Sequence, residues 1–256
     1  MSGLVKNELY KVFRLRKLYL FMGAVLALQG IKIFQYKFTT QGEISFPLNG
    51  QSFPLEMIEK NTIIIVMFIA VLAADMLAEE YRNGNFKPVL LRPVSRIQFV
   101  GAKAAALLAS ITAIVCFTVI TSYMLGTIAF GWGSHLLFQG VPVAGNGIAI
   151  TFRSALASIL PSAGFGMLVL FIALMTGNTG ITIGSAMALF FISPLLERYG
   201  TISEYSILYL MNAFHKIFIN NTTPAGISGK LGVIAVYIAL FYASSAIMIK
   251  RKDILL

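Results

Sequence analysis

Six apolar runs constrain this chain more than any other feature: approximately Leu18 to Phe34, Thr62 to Leu77, Ala104 to Phe130, Ala155 to Met175, Ile181 to Leu196 and Leu231 to Ile249. A helix needs about 20 mostly apolar residues to cross the hydrocarbon core of a bilayer. The expectation is therefore an all-α integral membrane protein with six transmembrane helices, short loops and one larger connection. With 57% hydrophobic residues, 12% charged residues and a mean hydropathy of +0.81, no separate soluble domain fits beside the spans, so residues 1–256 read as a single transmembrane domain. The third run is long enough to tilt or project beyond the lipid. The fifth, bounded by Gly180 and Pro194, is short enough that it need not run straight across.

In a soluble protein the net charge of +10 would suggest nucleic acid. Here the basic residues flank apolar runs, as cytoplasmic loops do, and the membrane reading accounts for them without nucleic acid. With the N-terminus inside, six spans place Lys6, Lys11, Arg14, Arg16, Lys17, Arg82, Lys87, Arg92, Arg96, Lys103, Lys250, Arg251 and Lys252 on the cytoplasmic side, 13 of the 20 Lys and Arg. Both termini are then cytoplasmic, and the expected location is the cell membrane, multi-pass.

Within residues 1–17, Val5, Leu9, Val12 and Phe13 form one helical stripe, with Lys6, Glu8, Lys11 and Arg14 elsewhere. That is the pattern of an amphipathic helix lying in the membrane interface. The plainer alternative is a basic cytoplasmic tail. The run from Leu18 to Ile31, broken mainly by Gln29 and followed by Lys32 and Lys37, reads as an uncleaved first span, not a secretory signal. The expected outer connections are 35–61, 131–154 and 197–230, with Trp132, Tyr199, Tyr205 and Tyr209 at headgroup depth; Ile207 to Phe214 is expected to form a short re-entrant or surface helix. Cys116, the only cysteine, excludes a disulfide framework and reads as a small core residue.

The stretch from Glu79 to Lys103, EEYRNGNFKPVLLRPVSRIQFVGAK, falls in the cytoplasm between the second and third spans. Phe86, Val89 and Leu90 share one face of a short helix, punctuated by Arg82, Lys87 and Arg92. Pro88 weakens that helix and Pro93 ends it. Taken alone, the stretch is also what an ordinary positive-inside loop looks like.

The order of its residues adds more. Glu80, Gly84, Phe86, Lys87, Leu90, Leu91, then Pro93-Val94-Ser95-Arg96, and Lys103 at the start of the third span match the cytoplasmic signature of type-2 ABC exporter permeases (ABC-2 type), in their short six-span bacterial form. Asn85 stands where that family usually has Thr, and Pro88 is atypical. The resemblance extends to chain length, the opening Asn7-Glu8-Leu9-Tyr10-Lys11, the six-span plan and the basic C-terminal tail.

This resemblance implies that 79–103 is a coupling helix seated in a groove of a cytoplasmic ABC ATPase subunit. ATPase coupling would fall to Glu79, Glu80, Gly84, Phe86, Lys87, Leu90, Pro93 and Arg96. Glu80 would meet basic groups of that partner, while Phe86 and Leu90 would fill its groove. The family also implies a dimer of membrane subunits, either two copies or one copy with a related permease, served by two ATPases. The chain has no Gly-x-x-x-x-Gly-Lys-Ser/Thr loop, so ATP and Mg would be held by the separate ATPase and no cofactor by this chain.

Asp75 is expected at the inner interface, hydrated, with pairing to a basic residue or substrate sensing as alternatives. Ser162, Gly164 and Gly166, and Gly177, Gly180 and Gly184, suit close helix packing or, alternatively, a moving pathway. His135 and His215 lie in different outer loops without carboxylates or cysteines at ligand spacing, so no metal site is expected. Asp75 and Asp253 are the only aspartates and form no catalytic cluster, which makes an intramembrane enzyme a weak reading and leaves catalytic residues at none. An ion-coupled secondary transporter is the stronger alternative, although paired intramembrane charges are faint. For an exporter, the nearly charge-free spans suit an amphipathic or hydrophobic cargo, with antimicrobial or toxin peptides ranked ahead of drugs and lipid-like molecules.

Overall fold

The structure is a computed structural model, and it describes residues 2–39, 48–79, 95–138, 141–196, 200, 204–219 and 224–251. The chain is mostly helical. Its elements run α1 (Ser2–Arg14), α2 (Arg16–Phe34, continued as a π-helical turn over Gln35–Thr39), α3 (Phe53–Lys60), α4 (Thr62–Ala73, continued as a π-helical turn over Ala74–Glu79) and α5 (Arg96–Phe130). A small antiparallel hairpin follows, β1 (Leu136–Phe138) with β2 (Val141–Val143), then α6 (Gly147–Thr176), α7 (Thr179–Leu196), α8 (Ile207–Ala213, with a 3-10 turn over Phe214–Phe218) and α9 (Pro224–Arg251). Helices dominate because lipid offers no partner to backbone N–H and C=O groups, which must be satisfied within each segment.

Four of these helices are long and apolar enough to cross a membrane: Arg16–Phe38, Ile97–Phe130, Gly147–Thr176 and Gly226–Ile249. The second expected segment is the longer limb of a bent pair, Phe53–Lys60 with Thr62–Ala78, which meet at 46°. Pro54 in the first turn of α3 favours helix initiation there, and α4 starts afresh at Asn61, where the Thr62 hydroxyl donates to the Glu59 carbonyl at 2.9 Å. The fifth expected segment is a 17-residue apolar helix, Thr179–Leu195, shorter than a straight crossing.

Two boundaries lie earlier than the apolar runs suggested, because capping sets them. Helix α5 begins at Arg96 instead of Ala104: Ser95 Oγ accepts from Gln98 N at 3.2 Å and Gln98 Oε1 accepts from Ser95 N at 3.4 Å, a reciprocal capping box. Helix α6 begins at Gly147 instead of Ala155, capped by Asn146 Oδ1, and stops at Gly177, whose φ of 58° is left-handed. The expected connection 131–154 therefore contains the hairpin and the first two turns of α6.

Helix α6 is the central element, packed by α4, α5, α7, α8 and α9. Its small residues serve that packing: a Cβ at Gly164 would lie 2.8 Å from Ile207 Cδ1, and one at Gly166 2.8 Å from Leu107 Cδ2. Ile207–Ala213 is helical, as expected, and it is buried against α6, which corrects the surface alternative and leaves the re-entrant one. Gln29, the polar break of the first span, is buried and donates to the Thr118 carbonyl and Thr121 Oγ1, both at 3.1 Å, so it joins α2 to α5. Cys116 is exposed on α5, which corrects its reading as a core residue; in lipid a thiol needs no protein cover.

At the hairpin end, Asn49 organises the approach to α3. Its Nδ2 donates to the His135 carbonyl at 2.7 Å, while its Oδ1 accepts from Ser52 N at 2.9 Å and Ser52 Oγ at 2.8 Å. Lys216 of the 3-10 turn reaches Glu59 of α3 at 3.0 Å. The neighbouring His215 is buried, and neither ring nitrogen has a hydrogen-bond partner among the described residues. Burial pushes its pKa down to about 4, reinforced by the Lys216 charge and opposed by Glu59. Between pH 6.5 and 4 the unfolded chain binds a proton that the folded chain refuses, so stability falls as pH falls through that window. From pH 7 to pH 5 the loss is about 2 kcal/mol. Thermal unfolding in detergent should show this drop in the wild type and a flatter profile in His215→Phe; identical profiles would remove His215 as the cause.

Candidate functional site

The two ends of segment 79–103 are described, and its middle is not. Glu80, Gly84, Phe86, Lys87, Leu90 and Pro93 lie outside the described residues. Glu79 closes the π-helical turn that extends α4, and Arg96 opens α5. Ser95 of the Pro-Val-Ser-Arg match is the N-cap of α5, so that part of the motif acts directly on the backbone and fixes where the long helix starts.

Both ends are anchored to the N-terminal helices by ion pairs. On α5, two turns beyond the cap, Lys103 is completely buried and its Nζ donates to Glu8 Oε2 of α1 at 3.0 Å. The same ammonium stands 4.9 Å from the centre of the Phe99 ring. Glu8 also accepts from Lys11, one turn along α1, through its other oxygen at 3.0 Å. Burial alone would raise the Glu8 pKa, but the charges and hydrogen bonds of Lys103 and Lys11 outweigh it, and the carboxyl sits below its ordinary value. Within α1, Val12 is buried, and helix α1 lies against α5. Sequence periodicity placed Glu8 on the polar face; the structure places it on the buried one, because its partner lies on another helix.

At the other end, Lys17 Nζ donates to both oxygens of Asp75 at 2.8 Å, joining the start of α2 to the π-helical turn after α4. Asp75 is therefore paired, as the alternative of a basic partner expected, with a side chain from 58 residues upstream, and the pair is exposed. Between α1 and α2, Leu15 is extended, with φ −68° and ψ 125°, and turns the chain sharply from one helix into the next. Phe21 of α2 meets Phe68 of α4 edge-on, 5.4 Å between ring centres, just above the Lys17–Asp75 pair. The arrangement links α1 to α5 and α2 to α4, so the two described ends of 79–103 are held by one N-terminal unit.

Sequence reasoning found Lys103 and the opening Asn-Glu-Leu-Tyr-Lys separately and missed that they are one contact. The signal available was the only acid of residues 1–39 and a lysine set among apolar neighbours, Val100-Gly101-Ala102 and Ala104-Ala105-Ala106. Among the described residues no group of three or more His, Cys, Asp or Glu is placed to hold a metal.

The pair makes a sharp energetic prediction. Removing one partner of a buried ion pair leaves an uncompensated charge and costs about 3–5 kcal/mol, whereas replacing both with apolar residues of similar size is close to neutral. Glu8→Ala and Lys103→Ala should each lower the thermal stability of the detergent-solubilised protein strongly, and the double variant Glu8→Leu with Lys103→Met should recover most of it. Additive losses in a double-mutant cycle would show that the two groups are uncoupled.

The family described as "Protein of unknown function (DUF2705)" matches residues 18–255, nearly the whole chain, and the chain belongs to that family. No curated protein matches it.

Proposed function

For this DUF2705 protein we propose the role of membrane permease subunit in an ATP-driven exporter of the ABC-2 type. In this reading the four long helices, the bent α3–α4 pair and the short α7 make up six spans, with both termini in the cytoplasm and the protein resident in the cell membrane. The 79–103 segment is the coupling helix, with Glu79, Glu80, Gly84, Phe86, Lys87, Leu90, Pro93 and Arg96 meeting a separate ATPase that holds ATP and Mg. Two permease subunits and two ATPases form the working assembly.

The observation that carries this reading is the Glu8–Lys103 pair at 3.0 Å. It joins the two sequence features that resemble the permease family, the N-terminal Asn-Glu-Leu-Tyr-Lys and the lysine closing the coupling segment. A segment driven by an ATPase needs stiff attachment at both ends, or its displacement dissipates in loop motion. The capped start of α5 and the buried Glu8–Lys103 pair are attachments of that kind, and the more exposed Lys17–Asp75 pair adds a weaker one. Force applied to 80–94 would then act on α4 and α5 together, and through α5 on the central α6. The cargo would be amphipathic or hydrophobic, with peptides first, since the spans offer few charges to a polar solute.

Purification of the tagged chain from its native host in mild detergent, with mass spectrometry of its partners and ATP hydrolysis measured on the eluate, tests the reading. The expected result is a stoichiometric Walker-motif ATPase that Glu80→Lys releases while the variant still inserts in the membrane. Recovery of a stable, active chain without an ATPase would point to a self-contained transporter or membrane enzyme and overturn the assignment.

A further inference from the structure

At the hairpin end, an open groove of about 300 Å³ runs between α6, the 3-10 turn after α8 and the start of α9. Leu156 and Leu160 of α6 line it on one side and Ile227 and Leu231 of α9 on the other, with Phe218 of the 3-10 turn also in its lining. Among the described residues the only charged one lining it is Arg153, which is exposed and has no hydrogen bond or ion pair with any of them. Arg153, Leu156 and Leu160 are spaced i, i+3 and i+7, so they descend a single stripe of α6.

Depth gives that stripe a meaning. Helix α6 has 30 residues and is about 45 Å long, against a hydrocarbon core of about 30 Å. A centred α6 thus projects about 7 Å at each end, and Arg153, about 9 Å from its start, falls at the boundary of headgroups and acyl chains. Below it the groove is apolar and opens sideways, with Leu156, Leu160 and Leu231 all exposed. A guanidinium fork at phosphate depth above an apolar channel is complementary to one molecule that a bilayer supplies everywhere.

We propose that this groove is a binding site for an anionic phospholipid, its phosphate held by Arg153 and one acyl chain lying along α6 and α9. Arginine suits the contact because its planar fork bonds two phosphate oxygens at once and remains charged at any physiological pH. A zwitterionic lipid offers the same phosphate but carries its own cation beside Arg153, so the site discriminates by charge. The inference rests on the membrane setting of α6 and α9 and is independent of the exporter reading.

The test uses the full chain alone, purified in detergent, with palmitoyl-oleoyl phosphatidylglycerol and phosphatidylcholine titrated separately and bound lipid counted by native mass spectrometry. Wild type should retain phosphatidylglycerol about tenfold more tightly than phosphatidylcholine, the scale of one charge-assisted contact. Arg153→Gln, a surface change that leaves packing intact, should bring the two lipids level. Ala157→Phe, which fills the groove from α6, should weaken both, with size-exclusion profiles verifying the fold. Equal retention of the two lipids by wild type overturns the proposal without any variant. Undiminished phosphatidylglycerol binding in Arg153→Gln, or in a folded Ala157→Phe, overturns it as well.

Discussion

Burying an ammonium completely costs several kcal/mol unless a carboxylate meets it with good geometry. Lys103 has no exposed surface, and the carboxylate that meets it comes from Glu8, 95 residues away in sequence. Much of this end of the molecule follows from that requirement. Helix α1 has to dock against α5 to bring Glu8 in; Leu15 has to break the chain between α1 and α2; and α2, starting beside α5, then presents Lys17 to Asp75. The N-terminal helix α1 is therefore a structural member fixed to the protein.

The hairpin end is held by a different kind of contact. There the loops before α3 and after α5 are joined through neutral hydrogen bonds centred on Asn49 and Ser52, and a partly exposed ion pair, Glu59–Lys216, links α3 to the turn before α9. Exposed pairs are worth little beside buried ones. The two ends thus differ in stiffness: a buried charge pair and a capped long helix at one, a polar network with a buried neutral histidine at the other. The exporter proposed above, which would move one end against the other, has use for that difference.

Much of the helical plan was legible because apolar runs of membrane length have few alternative readings. What the runs could not show was the start of each helix. Ser95 and Asn146 set those starts through side-chain bonds to backbone N–H groups, and both lie outside the apolar windows. The bend between α3 and α4 was hidden for a similar reason, since Phe53–Lys60 carries Glu56, Glu59 and Lys60 and reads as a loop by composition. The hairpin, with strands of three residues each, is too short for any period to register. Of the site, the motif residues Ser95 and Lys103 were visible by order in the chain. Glu8 as the partner of Lys103, and Lys17 as that of Asp75, were not, because contacts across 95 and 58 residues leave no local pattern.

Helix α1 and the described ends of the 79–103 segment form one mechanical unit held by the Glu8–Lys103 pair. Hydrogen exchange of the backbone amides of residues 2–14, compared between wild type and Lys103→Met in lipid nanodiscs, tests it most directly. The account predicts that α1 and the first turns of α5 lose protection together in the variant, while α6 keeps its own. An α1 that stays as protected without Lys103 as with it would show that lipid, and not the ion pair, holds the helix in place, and would contradict the account.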